Sequence, residues 1–141
     1  MSSAPPPHVL AAFGVSGFRP VPLGGGQGTS WRAGDLVLKP ADVDPDELTW
    51  RAEIYPQVTL DRFRLPRPQA ARDGSLCVDG WCATQFAAGR HEQRRWPEII
   101  AAGTRFHDAL RGIRRPQFLD TRSSPWAISD RVAWGDIPAS E

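Results

Sequence analysis

The chain contains no asparagine, one lysine, one tyrosine and two cysteines in its 141 residues. No apolar run approaches the roughly 18 residues that a membrane-spanning helix needs, so no membrane partner is expected. The leading MSSAPPPHVLAAFG has neither the basic n-region nor the long apolar h-region of a secretory signal. Residues 1–8 read instead as a disordered Pro-rich lead, and the expected location is the cytoplasm. An excess of one sign of charge is also missing: 17 basic residues face 16 acidic ones, a formal net charge of +1. That balance supplies no steering field, and the only tight basic clusters are Arg94-Arg95 and Arg114-Arg115, so no nucleic-acid partner is expected. In a cytosolic chain Cys77 and Cys82 are expected as free thiols. C-x4-C without a second ligand pair is a poor zinc signal, and no metal site is expected.

The length suits one domain large enough to bury a core. Arginine, alanine, proline and glycine are abundant, the bias of a GC-rich bacterial genome. Within it the lone Lys39 is informative, because arginine would have served for generic surface charge. Lys39 ends the stretch around which the chain is organised, Phe18 to Pro40. Val21 and Leu23 lead into glycines at 24, 25, 26 and 28, followed by Thr29 to Ala33, a Gly34-Asp35 turn, and the short apolar strand Leu36-Val37-Leu38. The pattern reads as strand, glycine loop, strand, turn, strand. A Walker A loop is excluded because no glycine of the loop precedes a lysine. A Rossmann fingerprint is disfavoured because the spacing is G-x-G-x-G and strand follows. Two readings of the loop stand. One is a kinase-type hairpin, whose backbone N–H groups approach nucleotide phosphates while a third-strand lysine reaches them. The other is an ordinary glycine-rich hairpin with a surface lysine.

Further along, Val9 to Phe13 suits one helical turn. Asp44-Pro45-Asp46-Glu47 starts a helix running to about Tyr55, with Asp44 at the N-cap, Pro45 at N1 and Glu47 at N3 as a capping box. Leu65-Pro66-Arg67-Pro68 is a proline-constrained edge segment. Asp79-Gly80 joins two strands, Leu76–Val78 and Trp81–Phe86, in a tight hairpin. Its register sets Cys77 opposite Cys82 with Cα atoms ~4.5 Å apart, where a disulfide is geometrically marginal. A second helix spans about Pro97 to Leu110, with Ile99, Gly103, Phe106 and Leu110 on its buried face. Residues 114–123 read as a loop. Ser124-Pro125 starts a third helix that Gly135 ends and whose apolar residues lie nearly all round.

In this order the elements resemble the N-terminal lobe of a kinase-like phosphotransferase. The resemblance is nearest to the aminoglycoside phosphotransferase and choline-kinase-like branch, including its actinobacterial members, and covers about Val9 to Leu110. It rests on the Leu23–Thr29 loop, Val37-Leu38-Lys39, the helix bearing Glu53, Pro66-Arg67-Pro68, the segment Gln85 to Gly89, and Phe106 to Leu110. It implies an α+β fold: a small antiparallel sheet of about five strands with one helix packed on it, followed by two helices that begin a helical lobe. Residues 9–89 would form the nucleotide-binding lobe and residues 90–141 the incomplete start of a second. ATP, or GTP, with Mg2+ is the implied cofactor. Its phosphates would lie against Gly24, Gly25, Gly26, Gln27, Gly28 and Thr29 and against Lys39, with Glu53 paired to Lys39. Its base would lie against Gln85, Phe86 and Ala87, between aliphatic walls from Leu23 and Val37. Taken without the resemblance, Glu53 is a solvated side chain beside Arg51.

The departure from the family is equally plain. Its catalytic loop is H-x-D followed by a magnesium-binding asparagine. The three histidines, His8, His91 and His107, form no H-x-D, and there is no asparagine. No catalytic residue is therefore expected, and the chain reads as an ATP-binding lobe truncated before the catalytic loop, a partner for the missing lobe. The alternative is a non-catalytic remnant acting as a protein-interaction module, self-associating through its C-terminal helix.

Overall fold

The computed structural model describes residues 3–24, 27–90 and 92–138. They form an α+β fold with an open antiparallel sheet. In chain order the elements are α1 (Pro7–Ala12), β1 (Val21–Pro22), β2 (Trp31–Ala33), β3 (Leu36–Pro40), α2 (Pro45–Ile54), β4 (Pro68–Gln69), β5 (Cys77–Val78), β6 (Trp81–Gln85), α3 (Trp96–Ala109), α4 (Phe118–Thr121) and α5 (Pro125–Ala133). The sheet order is β1-β2-β3-β6-β4, with β5 also pairing with β6.

Turn chemistry sets the hairpins. Gly34 (φ 58°) lets Gly34-Asp35 join β2 to β3, and the Phe18 ring lies only 3.0 Å from where a Cβ would stand. Asp79 and Gly80 both adopt positive φ, 48° and 74°, which matches the type I′ geometry that suits twisted strands. β3 and β6 then pair over five residues, from Leu36 opposite Gln85 to Pro40 opposite Trp81. Residues opposite one another share a face, and successive residues alternate. Ala33, Leu36, Leu38, Trp81 and Ala83 therefore point one way, into a core closed by Val9, Leu10, Phe13 and Val15 from α1 and the turn after it. Val21, Arg32, Val37, Lys39 and Thr84 fall on the other face.

A second layer is aromatic. Phe118, Trp50, Tyr55, Phe106 and Phe63 meet edge to face in sequence, with centroids 5.9–6.3 Å apart. These contacts tie α2 and the 3-10 turn after it (Tyr55–Gln57) to α3 and α4.

Four expectations change. The N-terminal lead is not disordered over its described part: Pro7 starts α1, Pro5 is buried, and His8 Nε2 meets Asp79 at 3.1 Å. Cys77 and Cys82 are not free thiols but form a disulfide across the β5–β6 hairpin, because the register sets their Cα atoms 4.6 Å apart. Ile99 is exposed rather than buried, because only the C-terminal half of α3 reaches the aromatic layer, through Phe106. The loop at 114–123 contains the single-turn helix α4.

Opposite faces of β3 give opposite costs. Leu38 is 0% exposed, so Leu38→Ala is expected to destabilise by about 2–5 kcal/mol. Val37→Ala, on the opposite face, is expected to cost under about 1 kcal/mol. Urea denaturation of the two variants measures the difference.

Candidate functional site

Of the residues that the resemblance assigns, Lys39 and Val37 stand on the face of the sheet turned away from the α1 core, whereas Gln85, opposite Leu36, belongs to the core side. The glycine loop is closed at its base by the Leu23 N–H, which donates to the Ser30 carbonyl at 2.9 Å. The last β2–β3 pair is Trp31 opposite Leu38, so the single lysine follows at the end of β2 that the loop enters, on the face that also carries Val37. Gly24, Gln27 and Gly28 are exposed and Thr29 is half-buried; Gly25 and Gly26 lie outside the described residues. Gly28 needs glycine for its φ of 69°, whereas a Cβ on Gly24 would meet nothing within 4 Å. No intramolecular crowding accounts for glycine at 24. A groove of about 460 Å³ runs along β1 to the β2–β3 turn, lined by Phe18, Val21, Leu23, Arg32 and Asp35 among others; neither Lys39 nor any described residue of the glycine loop from Gly24 to Thr29 is part of its lining.

Lys39 does not pair with Glu53. Its Nζ lies 2.8 and 2.9 Å from the two carboxylate oxygens of Asp42. The chain turns straight back after β3 and presents Asp42 three residues on, so the local partner wins. Glu53 is exposed; its carbonyl accepts from Gln57, and its carboxylate has no partner among the described residues. At the other end of β3, the Gln85 N–H donates to the Arg67 carbonyl and the Phe86 N–H to the Asp35 carbonyl, both within 2.9 Å. Two of the three hinge N–H groups are therefore committed to the fold, and the Ala87 N–H has no acceptor among the described residues. Phe86 lies under the Arg32 guanidinium, 3.8 Å from ring centroid to Cζ.

The most buried acid is one that sequence reasoning put elsewhere. Glu47 does not close a capping box. Asp44 caps α2 by accepting from the Asp46 N–H at 2.8 Å, while Glu47 turns inward, 6% exposed. There its carboxylate accepts from Arg51, one turn on, and lies 3.6 Å from Arg122 Nε. The i,i+4 spacing of Glu47 and Arg51 was a visible signal; the Arg122 contact was not. Nearby, Arg115 pairs with Asp120 and Asp136, and the hydrogen bond to Asp120 holds its guanidinium above the ordinary arginine value. Among the described residues no three His, Cys, Asp or Glu side chains are grouped to hold a metal ion.

No protein-family model matches the chain, and neither does any curated protein or solved structure.

The Glu47 cluster makes a stability prediction. Arg51→Ala would leave a buried carboxylate with only the longer Arg122 contact. A broken buried pair costs about 3–5 kcal/mol; with Arg122 remaining and Arg51 one-third exposed, about 2–3 kcal/mol is expected. Arg122→Ala should cost less, about 1 kcal/mol. Chemical denaturation orders the two.

Proposed function

We propose that this chain is the nucleotide-binding part of a phosphotransferase-like protein. ATP, or GTP, arrives with its own Mg2+ and lies along the end of the sheet that carries Lys39 and the glycine loop. The observation that carries this reading is the position of Lys39, the only lysine, one residue beyond the last β2–β3 pair at the end of β2 that the glycine loop enters. Phosphate oxygens would meet backbone N–H groups of the loop and the Lys39 ammonium. Lys39 can be released from Asp42 at little cost, since an exposed ion pair of this kind is worth about 0–1 kcal/mol. Leu23 and Val37 would flank the base, and the Ala87 N–H would supply its edge. Glu53 is left out of the resting arrangement and would join only if nucleotide draws Lys39 toward α2. Nothing in the chain supplies the H-x-D and asparagine that phosphoryl transfer requires in the family it resembles, so these residues bind and do not transfer.

Calorimetry with Mg·ATP tests the reading. Saturable binding is expected, weakened roughly 10- to 100-fold by Lys39→Ala, the worth of one charge-assisted hydrogen bond. Gly24→Ala is expected to weaken binding while leaving stability within about 0.5 kcal/mol, because it crowds only the space a phosphate would use. Unchanged affinity in Lys39→Ala would sink the proposal.

A second reading has its own support. Trp96, Trp126 and Trp134 are 65%, 76% and 79% exposed, beside exposed Ile99, Ile100 and Ile128. Large apolar side chains in such number on α3 and α5 favour a protein-interaction module that self-associates. Sedimentation velocity is expected to show a concentration-dependent dimer that Trp126→Ser with Trp134→Ser returns to monomer. A monomer at every concentration removes this reading.

A further inference from the structure

Away from the sheet, a cleft of about 320 Å³ opens between α2, α3 and α4, within the size range of small-molecule sites, about 300–1,000 Å³. Its walls are apolar: Trp50, Tyr55, Phe106 and Phe118 from the aromatic layer, with Leu110 and Leu119. Edge-to-face contacts join Phe118, Trp50, Tyr55 and Phe106 to one another along this wall. Its charged lining is one-sided. Arg51, Arg114, Arg115 and Arg122 face a single acid, Glu47.

The four arginines differ in how they are occupied. Arg51 and Arg122 share the buried Glu47 carboxylate, which fixes both guanidinium groups on one side of the cleft. Arg115 is held from outside by Asp120 and Asp136, neither of which lines the cleft. Arg114 makes no ion pair or hydrogen bond through its side chain among the described residues, and it is exposed. The cleft therefore combines an aromatic interior with an excess of positive charge and one uncommitted guanidinium at its rim. A cation would be repelled and a neutral apolar molecule would use only half of what is built. A planar carboxylate would be matched by the arginine fork.

From this we infer that the cleft is a binding site for a small aromatic carboxylate, its ring among Trp50, Phe106 and Phe118 and its carboxylate on Arg114. The site is separate from the end of the sheet that carries Lys39 and the glycine loop and does not rest on the nucleotide reading.

The probe is 2-naphthoate, titrated calorimetrically into the full chain beside 2-naphthalenemethanol and 2-naphthylmethylamine, which keep the rings and change the charge. Saturable binding of the carboxylate is expected, roughly tenfold or more tighter than the alcohol, with the amine weakest. Arg114→Gln, at an exposed side chain without partners to lose, is expected to remove that advantage and leave alcohol binding unchanged. Trp50→Ala should weaken both. Lys39→Ala should change neither, and Mg·ATP should not displace the probe; these two results separate the cleft from the sheet. Absence of saturable binding, equal affinity for carboxylate and alcohol, unaltered selectivity in Arg114→Gln, or loss in Lys39→Ala would each overturn the inference.

Discussion

The pairing of β3 with β6 is the constraint from which the rest follows. Five residues of each strand are in register, and the alternation of a pleated strand then assigns every side chain to one face or the other. Leu38 and Ala83 go into the core under α1; Lys39 and Thr84 go to the opposite face, where both are half-buried. A slip of one residue would bury Lys39 and expose Leu38. The burial of Leu38 and Val9 therefore specifies not only stability but also which residues stand together on the opposite side. Gly34 and Asp79-Gly80 set the two hairpins from which this register is built.

The helical part works by a different principle. Its core is not a closed apolar cluster but a run of aromatic edges with a buried carboxylate beside it. Aromatic rings cover much area with few rotatable bonds, so a handful of them joins α2, α3 and α4 although none of the residues of α3 is fully buried. Glu47 adds direction rather than much net stability: a buried acid must be met, and meeting it fixes Arg51 and positions Arg122 from the segment between α4 and α5. The same economy leaves the outer sides of α3 and α5 bare, with tryptophan and isoleucine in contact with water.

What could be read from the sequence was what depends on neighbours in the chain. The caps at Asp44 and Ser124, the Asp79-Gly80 hairpin, the edge segment ending in Pro68, and the short strand at Leu36–Leu38 are all local, and all appear where the residues suggest. Misreadings came where more than one arrangement was open to the same residues. Glu47 suits a capping box by spacing, but Arg122 arrives to receive it and Asp44 manages the cap with Asp46. Ile99 shares a helical stripe with Phe106, but periodicity does not say how far along a helix the neighbouring layer extends. Asp42 outcompetes Glu53 for Lys39 because the chain folds back after Pro40, a bend no pattern announced. Pro5 and Pro7 look like the signature of disorder, yet Pro7 is well placed as the first residue of a helix.

Sixteen of the 17 basic side chains are arginine, and this has a chemical consequence. The protein carries a single side-chain primary amine, and that amine is paired with Asp42. An acylating reagent that attacks the unprotonated amine would mark one side chain in the whole molecule. Its rate of attack would report directly on whether Lys39 is held by Asp42, free, or shielded by whatever lies on the sheet.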